Sequence, residues 1–519
     1  MKAITDKDQL VGIFLLIPLA MIITAVAYYL FEHIFYIPHV MPVFLAPRFY
    51  GGTNDLSSAI FSQWKELALV LPALVLIVLF AYWLGIKKGL AFRKYLWVMY
   101  GLALVVVILF LFLTPHGLHH VELQTKTINN GGWYSLNALH ARPAFNNAGP
   151  LCKIQYIFQV LCSNEAGYTI PGTTHPAGVF LVSFSILAAV KFVSVDLLGG
   201  DINTMAVTWG ILVTLLNALL IPIVMTIAKK AYSEPIGKWT GIFMLTLPSV
   251  CFHFCAMVDG IASLVLAMGM LLLVYVLKYD CQENSYKNQN VYLYYGLGAG
   301  AFFTLAAQMT FGHAMPILAL LAAFYFLERK SDLTRIKAFS LGLIVPVALY
   351  FIFESWISAG KSSWLVRAFA ITSSVEHGLD VSRPYPLAHV ANFVVMSVMG
   401  GILFLPVLGY ICVVAAQTVA GWLMKTKPEA PAESSVRQFL LIASLIMLIM
   451  LLFQKTARLE VERIWHWFFI PIWSLMGIFF PASQVVLERL FPLIEPGNKI
   501  WRAPLVLCVV QLLVTVCWP

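Results

Sequence analysis

Charged side chains are scarce in this chain of 519 residues: Asp, Glu, Lys and Arg make up 11%, and 61% of the residues are hydrophobic. A soluble domain carries roughly 25% charged residues. The composition therefore excludes a soluble domain and indicates an integral membrane protein. Apolar runs of about 20 residues, the length that crosses a bilayer, recur from end to end. The first run, residues 10–30, lacks a small-residue cleavage site and is too long for a signal-peptide core, so we predict that it is a retained span.

The chain also lacks the short motifs of common cofactor sites. Its eight cysteines form no CxxC pair and no Cys/His set with zinc spacing, and no glycine-rich segment matches a phosphate-binding loop. The sequence therefore predicts no metal and no cofactor. Five cysteines lie in apolar stretches and are interpreted as membrane-buried hydrophobes: Cys251, Cys255, Cys412, Cys508 and Cys517. Cys152 and Cys162 share one loop predicted to face outward, where both a disulfide and free thiols are open alternatives.

The net charge of +9 does not indicate nucleic-acid binding, because the basic residues occur in short clusters between predicted spans. Such clusters mark cytoplasmic loops, with binding to anionic lipid headgroups as a secondary consequence. The clusters are Lys87, Lys88, Arg93 and Lys94; Lys229, Lys230 and Lys238; Arg329, Lys330, Arg335 and Lys337; and Lys425 and Lys427. They predict a cytoplasmic amino terminus and outward loops at 115–175, 355–387 and 454–463.

The apolar runs predict an all-α polytopic membrane protein with about 13 spans, give or take one. The candidate spans are residues 10–30, 64–86, 95–114, 177–195, 205–228, 239–256, 260–278, 293–308, 313–328, 338–354, 388–418, 437–453, 464–481 and 503–518. We divide the chain into residues 1–94, with the first two spans, and a core of residues 95–519. The basic clusters conflict at one place, because spans 177–195 and 205–228 make two crossings where the chain must pass from outside to inside. Either one of them is re-entrant, or Lys229-Lys230 faces outward.

The outward loop 115–175 is far longer than ordinary connections between helices, and loops of such length are usually functional or disordered. Its aromatic residues favour an ordered structure; they include Trp133, Tyr134, Phe145, Tyr156, Phe158 and Tyr168. Glu122 stands near its start, where a carboxylate just above the bilayer suits a general base that takes the proton from an acceptor hydroxyl. The alternative is a solvated loop acid paired with His119 or His120.

The same loop ends in Thr174-His175-Pro176-Ala177-Gly178, which leads directly into an apolar segment. Pro176 suits the first turn of a helix, because its missing N–H would have no partner there. The free amides and the positive dipole end of such a helix can hold a phosphate beside His175. An ordinary helix start is the alternative interpretation.

Asp259 lies between two apolar runs. A charge at full membrane depth costs about 2.5–3.5 kcal/mol to insert, so such residues commonly face a cavity or have a function. Asp is also a frequent N-cap, and Asp259 would then only cap a helix that opens at Gly260. The sequence leaves both interpretations open.

Two further polar clusters are predicted at the outward ends of later spans. Arg458 and Arg463 can clamp a phosphate while Glu462 holds the guanidinium groups in place; an interfacial belt of ion pairs is the alternative. The second cluster closes the loop 355–387 and consists of Arg383, Tyr385, His389 and Asn392. Polar residues from four separate loops therefore indicate a single outward-facing site.

These elements resemble the GT-C superfamily of polytopic glycosyltransferases, which use polyprenyl-phosphate-linked sugars. The element at His175 and Pro176 resembles the family's HPPG-type motif, with Pro-Ala in place of Pro-Pro. Two further stretches resemble elements of bacterial members: Glu462-Arg463-Ile464-Trp465, and the pattern of Arg383, Tyr385 and Asn392. The resemblance covers most of the core and implies a GT-C-like fold preceded by two additional spans.

The resemblance implies transfer of a sugar from a polyprenyl-phosphate-linked donor to an acceptor hydroxyl, with inversion at the anomeric carbon. The lipid phosphate is a good leaving group, so one carboxylate as base and cations that meet the charge of the departing phosphate suffice. Glu122 occupies the place of the family's catalytic acid. The usual Asp-Glu or lone Asp is absent there, which makes Asp55, in the earlier loop 51–56, a rival. Asp259 resembles an acid at the outer end of a mid-chain helix in relatives.

The expected acceptor is a glycan, a lipid or a protein, and the expected location is the bacterial cytoplasmic membrane with the site facing outward. The main alternative is a polytopic transporter or flippase of a lipid-linked or small solute. Transporters commonly show paired repeats and broken helices that meet at mid-membrane, whereas this sequence shows no repeat and collects polar residues at one face. A glycan ligase or polymerase and a catalytically inactive subunit are further alternatives.

Overall fold

The computed structural model of the chain describes residues 70–113, 152, 202–253, 258–279, 289–309, 313–328, 333–357, 400–423, 435–453, 466–481 and 502–517. These residues are almost entirely helical and include no β-strand, in agreement with the predicted all-α class. Five of their helices are long and apolar enough to cross a membrane. The predicted spans 10–30 and 177–195, and nearly all of the loops 115–175 and 355–387, lie outside the described residues.

The helices coincide closely with the apolar runs. In chain order they are α1 (Val70–Lys87), α2 (Phe92–Leu113), α3 (Ile202–Ala218), α4 (Leu220–Ala231), α5 (Glu234–Met244), α6 (Pro248–His253), α7 (Val258–Tyr279), α8 (Gln289–Met309), α9 (Ala314–Glu328), α10 (Leu333–Ile357), α11 (Phe404–Leu423), α12 (Ser435–Phe453), α13 (His466–Leu475) and α14 (Arg502–Cys517). The end of α1, Trp83–Lys87, is a π-helix, and α13 continues into a 3₁₀ turn, Met476–Ile478.

The predicted span 239–256 is interrupted rather than continuous. It consists of α5 and α6, which are separated at residues 245–247. Pro248 has no N–H with which to continue the helix from α5, and it disfavours a helical backbone at Leu247. The apolar run alone does not reveal this break, because its hydrophobicity is unchanged across it.

The predicted span 388–418 differs as well. Its described part is helical only from Phe404, and the preceding Gly401 has a φ of +93°, a conformation that glycine adopts without strain. A milder bend occurs at Leu219, the single residue between α3 and α4 within the predicted span 205–228.

Several helix ends meet at one side of the molecule, which we call the basic face. We define it by Lys229, Lys230, Lys238, Lys278 and Arg437. The Lys229 Nζ lies 4.2 Å from the centre of the Phe92 ring, and the Lys238 Nζ donates a hydrogen bond of 2.7 Å to the Leu90 carbonyl. These contacts join the end of α4 and the start of α5 to the start of α2.

The same face includes the end of α7 and the start of α12. The Lys230 Nζ lies 4.7 Å from the centre of the Tyr275 ring in α7. Ser435, the first residue of α12, donates a hydrogen bond of 3.3 Å to the Leu277 carbonyl. Arg437 stacks on Tyr232, with 4.4 Å from Cζ to the ring centre.

The contacts of the basic face bear on the topological question that the sequence left open. Lys229-Lys230 lies on the same side as the turn between α1 and α2. The helical stretch α3–α4, which leads to Lys229, includes a segment of membrane-spanning length, Gly210–Ala231. These contacts favour the alternative in which Lys229-Lys230 does not face outward.

We call the side opposite the basic face the far face. The described parts of α2 and α7 have 22 residues each and that of α12 has 19, so each extends about 30 Å from the basic face. Tyr275 in α7 stacks on Tyr295 near the start of α8, which therefore also begins at the basic face. The described parts of five helices reach the far face, at Leu113, Val258, Met309, Ile357 and Phe453.

Helices α8 and α10 run parallel in close contact because glycines line their interface. A Cβ atom added at Gly296 would overlap the Phe339 carbonyl oxygen, and one at Gly300 would overlap the Leu343 carbonyl oxygen. Gly296 and Gly300 have the small-xxx-small spacing that lets membrane helices approach closely. Only glycine fits there, because the obstructing atoms belong to the backbone and cannot rotate away.

The cysteines follow the prediction in part. Cys251 and Cys508 are buried, as expected, whereas Cys412 is exposed on the surface of α11. An apolar membrane helix also presents side chains to lipid, and the apolar run cannot tell these from core positions. Cys152 is a free, exposed thiol, and its predicted alternative partner, Cys162, lies outside the described residues. Cys255 and the side chain of Cys517 also lie outside the described part of the chain.

Candidate functional site

Almost all of the site residues predicted from the sequence lie outside the described part of the chain. They are Asp55, Glu122, His175, Pro176, Arg383, Tyr385, His389, Asn392, Arg458, Glu462 and Arg463. Their roles and their convergence on one site stay predictions. Asp259 is the exception, because its backbone belongs to α7.

The backbone of Asp259 lies near the described start of α7, at the far face. The described part of this helix runs from Val258, so the backbone of Asp259 is helical. Gly260 allows close packing here, because an added Cβ would overlap the side chain of Asn217, which is fully buried. Asn217 is thus a polar neighbour of this helix end that sequence analysis missed.

Glu354 is a second acidic residue at the far face and was also missed. It lies near the last described residue of α10, Ile357, and the residue is only 2% exposed. One turn earlier, Tyr350 donates a hydrogen bond of 2.6 Å to the Gln308 Oε1 of α8. A signal for Glu354 was present in the sequence, since it is an acid at the end of the apolar run 338–354, and ionisable residues in spans are commonly functional.

His313, just before α9, adds a buried titratable group near the same ends. Its side chain is 1% exposed, and its Nδ1 lies 3.2 Å from the Ala306 carbonyl. A carbonyl oxygen only accepts hydrogen bonds, so the Nδ1 carries the proton in this contact. In the neutral ring the Nε2 is then an acceptor for a hydroxyl or amide donor.

A buried polar junction connects two non-helical segments, residues 245–247 and 400–403, to α14. The backbone N–H of Ile402 donates to the Gln511 Oε1 at 2.7 Å, and the Gln511 Nε2 donates to the Thr515 hydroxyl at 3.1 Å. Thr515 in turn donates to the Thr246 carbonyl at 2.6 Å. On the other side, the Trp473 Nε1 donates to the Gly400 carbonyl at 3.3 Å.

The junction satisfies backbone groups that the helix breaks release. Non-helical backbone within a membrane is tolerated only where protein or water supplies hydrogen bonds. Here Gln511, Thr515 and Trp473 supply them for residues 245–247 and 400–402. Gly401 suits this position because its φ of +93° strains other residues, and an added Cβ would also meet the end of the Leu247 side chain. The junction is therefore a closed structural contact in which protein groups already occupy these donors and acceptors.

At the basic face, the carboxylate Glu234 lies between two lysines. Its two oxygens lie 2.8 Å from the Lys229 Nζ and 3.1 Å from the Lys238 Nζ. The hydrogen bond from Lys229 holds the pKa of the Glu234 carboxyl below its usual value; partial burial opposes this effect and Lys238 adds to it. Glu234 is therefore ionised at neutral pH and cancels part of the positive charge of this face.

Neither a metal centre nor a related protein assigns a chemistry to these residues. Within the described helices, no group of three His, Cys, Asp or Glu side chains is placed to hold a metal ion. No known protein family, curated protein or solved structure matches the chain. What its own fold defines is a class: an almost entirely helical protein whose described part includes five apolar helices of membrane-spanning length.

Proposed function

We propose that this protein is an integral membrane glycosyltransferase. It transfers a sugar from a polyprenyl-phosphate-linked donor to an acceptor hydroxyl at the outward side of the membrane, with inversion. The acceptor hydroxyl attacks the anomeric carbon and loses its proton to a carboxylate, while the bond from that carbon to the phosphate oxygen breaks. The electron pair leaves with the lipid phosphate, whose growing charge is met by cations.

The proposal is supported by the places in the sequence where the predicted site residues adjoin helices that reach the far face. In the sequence, predicted site residues come after described helices that reach this face: Glu122 comes after Leu113, and Arg458 after Phe453. The backbone of Asp259 lies near the described start of α7. These helices have their opposite ends together at the basic face. Leu113, Phe453 and Val258, the described neighbours of the predicted site residues, therefore lie on one side, at the far face. This arrangement favours a common outward-facing site if the basic face is cytoplasmic, as basic clusters predict.

The roles follow from the chemistry of each group. Glu122 is the proposed base, with Asp55 as its rival. His175, Pro176, Arg383, Arg458 and Arg463 are the proposed phosphate-binding group. Glu354 is buried near the described end of α10. Asp259 and Glu354 provide further carboxylates on the same side. They suit the binding of sugar hydroxyls, which donate hydrogen bonds to ionised acids.

Substitution of the proposed base tests the function directly. Purified protein in liposomes is supplied with polyprenyl-phosphate hexoses and pentoses, and the release of lipid phosphate is measured. Glu122→Gln is expected to reduce turnover by about 10²–10⁴-fold, because it cannot take up the proton. Glu429→Gln, in the predicted cytosolic linker, removes the same charge elsewhere and is expected to leave turnover unchanged. Normal turnover of Glu122→Gln refutes the assigned base, and Asp55→Asn then tests its rival.

A transporter or flippase is the second candidate, and one observation favours it. The predicted span 239–256 is broken at residues 245–247, and residues 400–403 before α11 are non-helical; these two segments contact each other at Leu247 and Gly401. Paired broken helices are typical of secondary transporters, where the released backbone groups bind substrate or ions. The hydrogen bonds that Gln511 and Thr515 make to these breaks argue against such binding here.

Flux measurement separates the two functions. Absence of sugar transfer from every lipid-linked donor, together with translocation of a lipid-linked or soluble solute in the same liposomes, would establish the transporter. Gln511→Leu is the sharper variant in that case, because an ion or substrate site at the breaks would lose a ligand. A transferase is expected to retain turnover when this variant remains folded.

A further inference from the structure

The turn that joins α1 to α2 is strongly basic. Residues 87–94 contain Lys87, Lys88, Arg93 and Lys94 and no acidic residue, and all four of these basic residues are exposed. Both helices that the turn joins are candidate membrane spans. The charges therefore lie where the two spans end.

The exposed side of α1 changes in character as the helix approaches this turn. Leu76 is 66% exposed, Phe80 is exposed as well, and Trp83 is 45% exposed. Their spacing of four and three residues places them on one side of the helix. Beyond them, the Lys88 Nζ lies 5.3 Å from the centre of the Trp83 ring. The order along this side is thus aliphatic, aromatic and cationic.

Helix α2 shows the same order in reverse from its start. Arg93 and Lys94 lie exposed in its first turn, Trp97 follows with 66% exposure, and Val105 is exposed further along. Trp83 lies four residues before the end of α1, and Trp97 lies five residues after the start of α2. Both tryptophans are therefore about 6–8 Å from the turn, at one common level.

We propose that Trp83, Trp97 and the four basic residues of the turn anchor the protein in the headgroup layer of an anionic phospholipid membrane; we call these six residues the headgroup anchor. An indole has an apolar body and one N–H donor, which suits the boundary between hydrocarbon and headgroups. The aliphatic parts of both exposed sides continue from the indoles into the hydrocarbon.

Charge complementarity indicates that the lipid is anionic. The dipole of α2 disfavours cations in its first turn, so the stability of this helix does not explain Arg93 and Lys94. Negative headgroups attract basic residues next to a span, and each nearby Lys or Arg adds to the attraction. The headgroup anchor lies at the basic face, away from the far face, so it is independent of the proposed sugar transfer.

Depth-dependent fluorescence quenching tests the position of the indoles. The full-length protein is reconstituted in liposomes of phosphatidylglycerol and phosphatidylcholine whose acyl chains carry bromine either near the headgroup or near the methyl end. The contribution of one tryptophan is the difference between the wild type and Trp83→Phe or Trp97→Phe. We expect the shallow bromine to quench each contribution about twofold more than the deep bromine. Equal or stronger quenching by the deep bromine, or quenching by neither, overturns the proposal.

Leu76→Trp is the matched control for depth. It adds an indole seven residues before Trp83 on the same exposed side, about 10 Å deeper in the hydrocarbon. The added fluorescence is expected to show the opposite order, with stronger quenching by the deep bromine. If Leu76→Trp and Trp83 give the same order, the level assigned to the headgroup anchor is incorrect.

A second experiment tests the charge of the lipid. Bromine is placed on phosphatidylglycerol alone or on phosphatidylcholine alone in the same mixture, and brominated phosphatidylglycerol is expected to quench Trp83 more. Lys87→Gln with Lys88→Gln is expected to reduce this preference, by at most about fivefold per lysine. Lys87→Arg with Lys88→Arg keeps the charges and is expected to retain it. Equal preference in the Gln and Arg double variants overturns the assignment of an anionic lipid.

Discussion

The glycine interface between α8 and α10 makes the most quantitative prediction. Gly300 lies against the backbone of α10, and an added Cβ would overlap the Leu343 carbonyl oxygen. Gly300→Ala therefore requires the two helices to move apart, because a carbonyl has no rotamer that clears the new atom. We expect this variant to be less stable than the wild type.

The magnitude follows from two opposing effects. Replacement of Gly by Ala in an unobstructed helix gains up to about 1 kcal/mol, since Ala loses less conformational freedom on folding. Overpacking in a close-packed interface costs about 1–3 kcal/mol, and parting the helices also weakens dispersion contacts along them. For Gly300→Ala the cost exceeds the gain, and the net loss is expected to be about 1–2 kcal/mol.

Two other glycines serve as controls. Gly101, in α2, has no atom within 4 Å of the added Cβ, so Gly101→Ala is expected to be neutral or stabilising. Gly298 lies between the two interface glycines of α8, but its added Cβ would meet only the end of the Leu272 side chain, at 2.8 Å. Leu272 can rotate, so Gly298→Ala is expected to cost less than Gly300→Ala.

The assay is the unfolding midpoint of the three variants in one detergent, measured by heating or by denaturant titration. The expected order of stability is Gly101→Ala first, Gly298→Ala second and Gly300→Ala last. If Gly300→Ala equals or exceeds Gly101→Ala, the parallel contact of α8 and α10 is incorrect. The positions of Tyr350 and Glu354 on α10 would then be incorrect with it.

Two further predictions concern the junction and the basic face. Thr515→Val removes a hydrogen-bond donor and a partner of Gln511 within the buried junction, and is expected to lower the free energy of unfolding by about 1–3 kcal/mol; Thr304→Val, whose hydroxyl bonds only within its own helix, is the control for the same measurement. Glu234 has a lowered pKa through Lys229, so its stabilising effect is present above the usual value of 4.5 and is lost as the pH falls through the lowered pKa. Glu234→Gln is therefore expected to reduce the acid dependence of the unfolding midpoint, by less than about 1 kcal/mol because the pair is partly exposed.

Each of these two predictions has a result that would contradict it. Equal losses in Thr515→Val and Thr304→Val would show that the junction contributes nothing specific to stability. Parallel midpoint-against-pH curves for the wild type and Glu234→Gln would show that the bridge between the two lysines is absent in solution.

The length of its apolar segments allowed the class of this protein to be predicted from the sequence. Runs such as 95–114 and 260–278 coincide with α2 and α7, because an apolar segment of about 20 residues has few stable alternatives to a membrane helix. The break at Pro248 has a local cause that the sequence also contains, although the prediction for span 239–256 passed over it. Local chemistry is readable because it depends only on neighbours along the chain.

The candidate site was predicted on a different basis, from motifs and a family resemblance. Most of its residues lie outside the described part of the chain, so those roles stay predictions. Within that part, Asp259 was anticipated, whereas Asn217 and Glu354 were not. Asn217 packs against Gly260 of α7, a contact that no pattern in its own segment encodes, whereas Glu354 could have been noticed as an acid at the end of an apolar run.

The amino-acid sequence by itself determined which segments are apolar helices and where basic residues cluster between them. Only the tertiary structure decided that Lys229-Lys230 shares a side with the start of α2, through its contact with Phe92. Only the tertiary structure also showed that Gln511 and Thr515 bond to the backbone of two non-helical segments, at Ile402 and at Thr246. The reason is physical: hydrophobicity acts through each residue's own transfer from water, whereas these contacts join residues more than a hundred positions apart, and their partners are set by how the helices pack.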